Sequence, residues 1–277
     1  MSFINYTKYF LIVSYNPNNY DYQFIIEKVS KFILNKTLES NSNGIVIGLS
    51  GGIDSSVCLA LSTKKLSNHN ILGLIMPING ITPNEDERDA IDLANKYGIE
   101  YRVIPLNNIK NSFKDQIYQE YMNDLEESKI AQGNLIARIR MSVLYFHANL
   151  SNRIVIGTGD KSESMLGYFT KYGDGGVDIS PIADLYKTQI RILAKELGIS
   201  DKIINKKSGP RLWKDHDAEE ELQMTYEELD PILYLYNNNS VKEELLTEKQ
   251  KHILHNIKTR NIKFKHKSKM PEICTFD

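Results

Sequence analysis

Net charge is almost absent from this sequence: 34 lysines and arginines face 35 aspartates and glutamates over 277 residues, a formal balance of −1. A chain so balanced has no broad basic face, which excludes duplex nucleic-acid binding through the overall field but leaves room for a small basic pocket. Cysteine is nearly missing too. Cys58 and Cys274 stand far apart and no CxxC occurs, so a zinc ribbon, a dithiol redox centre and a dense disulfide framework are excluded, and a reducing compartment is expected. Long hydrophobic runs are lacking: none approaches the roughly 20 residues that cross a bilayer. The opening MSFINYTKYFLIVSYN has no secretory-leader pattern. The expectation is a cytoplasmic protein with no membrane segment. No internal repeat is visible.

What is present is ordinary globular composition, 41% hydrophobic and 25% charged, in a chain long enough to bury a core without staples. Residues 1–20 are rich in Asn and Tyr without a clear period and read as an extended or mobile arm. Residues 21–38 place Tyr22, Ile25, Ile26, Val29, Phe32 and Ile33 at helical spacing. IVIGLS (45–50) is a short β-branched apolar run, the pattern of a strand buried on both faces. ILGLIM (71–76), YRVIPL (101–106) and RIVIG (153–157) read as further strands, and VDISPI (177–182) as a short fifth. Between them lie helical stretches after Asp54, over 84–97, over a long region expected to break near Gly133, and over LYKTQIRILAKELG with Gly198 at its stop. Strands alternating with helices predict an α/β fold: a doubly wound parallel sheet with helices on both faces, followed by a helical C-terminal extension from 199. The reading is one domain over 21–277 behind the arm. Ligands of such sheets bind beyond the carboxyl ends of the strands.

The segment there after the first strand is GLSGGIDSS. Gly48, Gly51 and Gly52 let backbone approach a ligand without a Cβ in the way. Ser50, Ser55 and Ser56 supply hydroxyls, and the start of the next helix supplies free N–H groups that suit an anion. Asp54 beside phosphates makes sense if a magnesium ion lies between them. The loop lacks the lysine of GxxxxGK[ST], so it is not a Walker A loop. A Ser/Gly-rich helix cap is the plain alternative for SGG alone.

SGGIDSS is similar to the PP-loop of the N-type ATP pyrophosphatases, which cleave ATP between the α- and β-phosphates and adenylylate a substrate. That resemblance implies an adenine nucleotide α-hydrolase-like, Rossmann-like sheet, with ATP as co-substrate held by Gly48, Leu49, Ser50, Gly51, Gly52, Ile53, Asp54 and Ser55. Three further segments, GNLIARIRM (133–141), GTGDKSESMLGYFTKYGDGGVDISPIADLYKTQIRILAKELG (157–198) and HKSKMP (266–271), resemble the NAD synthetases, in particular their archaeal-type, ammonia-using branch. The likeness runs from about residue 20 to the C-terminus.

The resemblance implies a C–N ligase that adenylylates the nicotinate carboxylate of deamido-NAD and amidates it with ammonia, giving NAD, AMP and pyrophosphate. It assigns magnesium to Asp54 and Glu163, the latter just beyond strand four; a bare helix-start carboxylate is the alternative for Glu163. Thr158 and Lys187 are assigned to ATP, Lys187 countering charge on the leaving pyrophosphate, although a solvated lysine is the simpler reading of DLYKTQ alone. Arg138, Lys171, Asp178, His266 and Lys267 are assigned to deamido-NAD, and Asp174 to the nicotinate end or the ammonia. Read without the family, KFKHKSK is a solvated basic run.

The chain departs from the family at KSGPRLW: Ser208 stands where proline is usual, Gly209 where a Ser or Thr contacts ATP, and Arg211 where a small residue sits. An altered mobile loop with retained activity is expected, Arg211 being available for an extra phosphate contact. Cys58 reads as a buried apolar residue, and Trp213 as either lid packing or lid core. The family implies a homodimer, with aromatic residues near Tyr20, Tyr22 and Phe24 as candidates at the interface, and ammonia supplied free or by a separate glutaminase. Two rivals remain: a synthetase for another acid, and a nucleotide sensor that binds ATP without turnover.

Overall fold

The computed structural model describes residues 15–117 and 126–276. Four strands, β1 (Ile45–Gly48), β2 (Ile71–Ile75), β3 (Glu100–Val103) and β4 (Ile154–Ile156), form one parallel sheet in the order β3-β2-β1-β4. Ile45 is in register with Ile71 on one side and Ile154 on the other. The chain steps outward from β1 to β3 and then returns to β1's free side, so a topological switch point lies between β1 and β4.

Alternate residues of β1 feed opposite faces, as strand geometry requires. Ile45 and Ile47 join a core with Ile33, Val57, Leu61 and Ile190; Val46 joins a second with Leu72, Leu74, Ile136 and Val155. The helices supplying these layers are α1 (Tyr22–Glu39), α2 (Ile53–Ser62), α3 (Asn84–Tyr97), α4 (Asn107–Ile117), α5 (Glu126–Ser151), α6 (Lys161–Leu166) and α7 (Lys187–Glu196). α2 and α7 pack together on one face, while α5 lies against β1 and β4 on the other. Short helices α8 (Asp201–Ile204) and α9 (Ala218–Leu222) precede α10 (Tyr226–Asn237) and α11 (Glu248–Phe264). The last two start on capping boxes, Thr225 with Glu228 and Thr247 with Gln250. They close a third core of Leu229, Leu233, Ile253 and Ile257 over Leu166.

Three expectations are corrected. The helix does not break at Gly133; α5 runs through it. A Cβ there would lie 3.0 Å from Leu212 Cβ and 3.2 Å from the Trp213 ring, so this glycine makes room for a loop rather than ending a helix. Residues 177–182 form no fifth strand, only a single parallel bridge between Ile179 and Ile156. The Asp178 side chain explains this, because it takes the Val155 N–H at 2.7 Å, a donor that a further strand would use. The arm begins outside the described residues, but its end is not loose. Tyr15 is buried against Tyr186 and Tyr234, and Pro17–Asn19 makes a 3₁₀ turn.

Candidate functional site

The cavity of interest opens at the carboxyl end of the sheet, on the β1/β4 side, and its wall includes Ser50, Asp54, Thr158, Glu163, Arg140 and Asp174. Gly48, Leu49, Gly52, Ile53 and Ser55 line it too. After β1 the chain turns through Gly51, at φ +73°, into α2. Gly52 is the N-cap and makes no side-chain cap bond, so the first turn of α2 presents its N–H groups to the cavity. The hydroxyls brace the turn: Ser50 Oγ and Ser55 Oγ lie 3.1 Å apart, Ser50 Oγ accepts from Gly52 N–H at 3.2 Å, and Ser56 Oγ donates to Gly52 O at 2.8 Å.

Beneath that turn three carboxylates meet one ammonium. Lys187 Nζ lies 2.7 Å from Asp54 Oδ2, 2.8 Å from Asp160 Oδ2 and 3.1 Å from Glu163 Oε1. Lys187 is fully buried and does not line the cavity; Asp54 and Glu163 stand between it and the opening. Burial alone would depress the lysine, but Asp160, Asp54 and Glu163 outweigh it and hold the ammonium well above the usual lysine value. Burial pushes Glu163 up to about 8 against the pull of Lys187, with Asp160 and Asp54 adding to the rise. Glu163 is both a helix-start residue and a cavity residue. It sits at the third position of α6 in a capping box with Asp160, whose side chain accepts the Glu163 N–H at 2.8 Å.

One observation bears on the fit of a divalent cation here. Asp54 Oδ1 is buried with no hydrogen-bond partner, next to a carboxylate surplus that one lysine does not neutralise. Hard oxygen donors of this kind suit magnesium. Among the described residues no cluster of three or more side chains forms a self-sufficient metal cage, so a cation held here would need further oxygen donors from a ligand.

The loop over the cavity is held by a second ion-pair cluster. Lys206 Nζ donates to Gly51 O at 2.9 Å, Asp86 Oδ1 at 2.7 Å and Asp89 Oδ2 at 2.6 Å. Arg211 Nε donates to Asp86 Oδ2 at 2.9 Å and its Nη1 to His216 O at 3.2 Å. Arg211 thus lines the cavity but spends its guanidinium on α3 and the loop itself. Trp213 stacks on His216 with ring centroids 3.4 Å apart. Ser208 and Gly209 both line the cavity. A Cβ on Gly209 would lie 2.1 Å from the His216 carbonyl oxygen. Gly209→Ser, which restores the hydroxyl usual in the family, is therefore expected to weaken ATP binding about tenfold by displacing the loop. Titration calorimetry with Mg-ATP checks it, and unchanged or tighter binding would contradict this loop packing.

The residues assigned to the dinucleotide gather elsewhere. Arg138, Lys171, His266 and Lys267 are not on the cavity wall; they surround the loop that ends in Asp174. Arg138 Nε donates to Lys171 O at 3.4 Å, Lys171 Nζ to His266 O at 2.8 Å, and Lys267 Nζ to Gly167 O and Phe169 O at 2.8 and 2.7 Å. Asp174 accepts the Thr170 N–H at 2.9 Å. Asp178 is bonded at the sheet edge, where Tyr145 OH donates to its Oδ1 at 3.0 Å and Val155 N–H to its Oδ2 at 2.7 Å. Cys58 is buried, its thiol 3.6 Å from Gly157 O and pushed up by burial.

Site residues beyond the sequence reading include Asp86 and Lys206 in the loop cluster, and Asp160 and Arg140. Asp160 was legible in principle, because Asp-x-x-Glu at a helix start is a capping-box pattern. Arg140 was not, since nothing local says that it reaches Pro210 O and Arg211 O beneath the lid. Burial pulls Arg140 down to about 10, with Asp174 opposing.

The family described as NAD synthase matches residues 25–271. An NH(3)-dependent NAD(+) synthetase of Staphylothermus marinus is 46% identical over 83% of this chain and 82% of its own length. One of Archaeoglobus fulgidus is 42% identical over 92% of this chain and 97% of its own. Among solved structures, an NH3-dependent NAD synthetase of Campylobacter jejuni, in complex with nitrate, superposes with TM-score 0.77 at 35% identity, covering 92% of this chain and all of that one. An NMN synthetase of Francisella tularensis superposes with TM-score 0.81 at 30% identity, covering 93% of this chain and all of that one.

Proposed function

The chain belongs to the NAD synthase family, and from that premise we infer that it is an ammonia-dependent NAD synthetase, a ligase that uses ATP to amidate deamido-NAD. The observation that carries the reading is the placement of an uncapped helix start, the Asp54–Lys187–Glu163 cluster and Asp174 around one cleft. A free carboxylate is a poor electrophile, so amide formation from an acid needs activation. In the first half-reaction the nicotinate carboxylate oxygen attacks the α-phosphorus of ATP and pyrophosphate leaves. In the second, ammonia attacks the acyl carbon, the acyl–oxygen bond to AMP breaks, and a proton is lost from nitrogen.

The protein's part is placement and charge. The first-turn N–H groups of α2 and the serines around Gly51 and Gly52 hold phosphate oxygens, with Thr158 beside them. Asp54 and Glu163 would hold magnesium, which supplies charge neutralisation at the pyrophosphate. Lys187, buried behind them, keeps the two carboxylates together and balances part of their charge. Arg138, Lys171 and Lys267, with His266 beside them, form a basic surround suited to the phosphates of a dinucleotide, and Asp174 lies where that surround meets the cleft. No side chain is assigned as nucleophile. Homodimer formation belongs to the same reading. Exposed Phe146 and Leu150 on α5 offer an apolar contact, and a monomer by sedimentation at assay concentration would remove this part.

Incubation with ATP, magnesium, ammonium and deamido-NAD tests the proposal. NAD, AMP and pyrophosphate in equal amounts support it; ADP, or no product, rejects it. Because an NMN synthetase has the same fold, nicotinate mononucleotide is the competing acceptor to include. Faster turnover of the mononucleotide would move the assignment to that substrate.

A further inference from the structure

α10 carries an acid that touches no part of the cavity. Asp230 is completely buried in the C-terminal helical layer, yet its carboxylate is saturated by donors from two other segments. Ser162 Oγ donates to Oδ1 at 2.6 Å, while Thr188 N–H and Thr188 Oγ1 both donate to Oδ2 at 2.8 Å. Ser162 Oγ in turn accepts the Lys187 N–H at 3.0 Å. Since the Thr188 hydroxyl donates to Asp230, it is the acceptor for Tyr15 OH, 2.6 Å away.

The segments gripped are the starts of α6 and α7, and the neighbours of the gripped residues are Glu163 and Lys187. Two N–H groups that α7 cannot satisfy within itself end on this assembly, and an acid at a helix N-terminus is favourably placed against its dipole. Burial pushes Asp230 up to about 7 against the pull of its Ser162 and Thr188 donors, and a buried carboxyl group is tolerated only where such bonds are kept. Loss of one therefore shifts the helix starts rather than simply loosening a surface.

We propose that Asp230 is a positioning residue of the ATP site. It bolts the start of α6 to the start of α7 and thereby sets the separation between the Glu163 carboxylate and the Lys187 ammonium. The inference rests on the ATP site proposed above, and its kinetic side rests also on the amidation of deamido-NAD.

Asp230→Asn replaces one carboxylate oxygen by an NH2 group, so Ser162 Oγ must turn from donor to acceptor or a Thr188 donor loses its acceptor. It is expected to raise the Kd for Mg-ATP, measured by calorimetry without acceptor or ammonia, about 10- to 100-fold. KM for deamido-NAD should stay within about threefold, because that substrate's cationic surround does not touch the bolt. Ser162→Ala and Thr188→Val each remove one donor and leave the carboxyl group; each should raise the Mg-ATP Kd by about three- to tenfold. The double variant Asp230→Asn/Ser162→Ala should weaken binding by less than the product of the two single effects, since the two share a bond.

A melting temperature that falls while the folded protein binds Mg-ATP like the parent would overturn the proposal, as would equal changes in KM for all substrates. If Asp230→Asn does not fold, the two milder variants decide by the same criteria. A parent protein that binds Mg-ATP but makes no NAD rejects the functional reading and leaves the binding comparison standing.

Discussion

Lys187→Met lowers kcat/KM for ATP by about 10²- to 10³-fold and destabilises the fold by about 3–5 kcal/mol, because it leaves buried charges without their partner. The lysine is completely enclosed, with three carboxylate contacts between 2.7 and 3.1 Å, whereas methionine fills a similar volume and offers none of them. With the ammonium gone, Asp54, Asp160 and Glu163 repel one another, take up protons or turn apart, and the pair that would hold magnesium against a triphosphate is no longer set. Steady-state kinetics at saturating deamido-NAD and urea unfolding measure the two effects separately. A variant within tenfold of the parent activity would show that the carboxylates keep their arrangement unaided. The stabilisation should also be restored in part by Mg-ATP, since a divalent cation replaces some of the missing positive charge and binds only the folded state.

Gly51→Ala abolishes tight ATP binding, raising the Mg-ATP Kd by more than about 100-fold, the order of loss expected when a site shifts by about 1 Å. Two separate effects act at this position. The residue sits at φ +73°, where an L side chain costs about 1–2 kcal/mol. An added Cβ would also fall 2.1 Å from the Asp86 carbonyl oxygen, a backbone atom at the start of α3 that has no side-chain freedom to yield. The loop therefore moves, and Gly51 O leaves Lys206 as it does so. Gly80→Ala is the matched control. Gly80 has a similar φ of +76° but nothing within 4 Å of an added Cβ, so that variant should show the strain in its melting temperature and little change in ATP affinity. Equal ATP affinity in the two variants would refute the clash argument.

Much of this was legible in the residue order, and the parts that were not share a cause. β1, β2 and β4 follow from short apolar runs rich in β-branched residues, β3 only in part because it ends at Val103 rather than Leu106, and α1 and α3 from helical periodicity, because those patterns are local. The placement of GLSGGIDSS at a carboxyl strand end follows from strand–helix alternation, but its position at the switch point between β1 and β4 follows only from the strand order. Gly133 misled because a mid-helix glycine has the same local signature whether it ends a helix or receives Leu212 and Trp213. VDISPI misled because its apolar alternation says nothing of Asp178 capping the sheet edge with its own side chain. Arg211, a plausible phosphate ligand by type, is turned to Asp86, and no window of neighbouring residues contains that partner.

The sequence by itself determined the class of chemistry. A glycine-backed loop after a buried strand and an aspartate in the first turn of the next helix offer an anion cradle through short-range sterics and residue type, and the YFTKYGDGG and DLYKTQ segments carry the resemblance to an acyl-activating family. Only the tertiary structure decided how the charges are shared. Asp54 and Lys187 lie 133 positions apart, and which carboxylates a buried ammonium holds depends on how two helices settle on one sheet and on a third helix that ties their ends through Asp230. Those contacts are long-range, and their energies exist only where water has been excluded from all the partners at once.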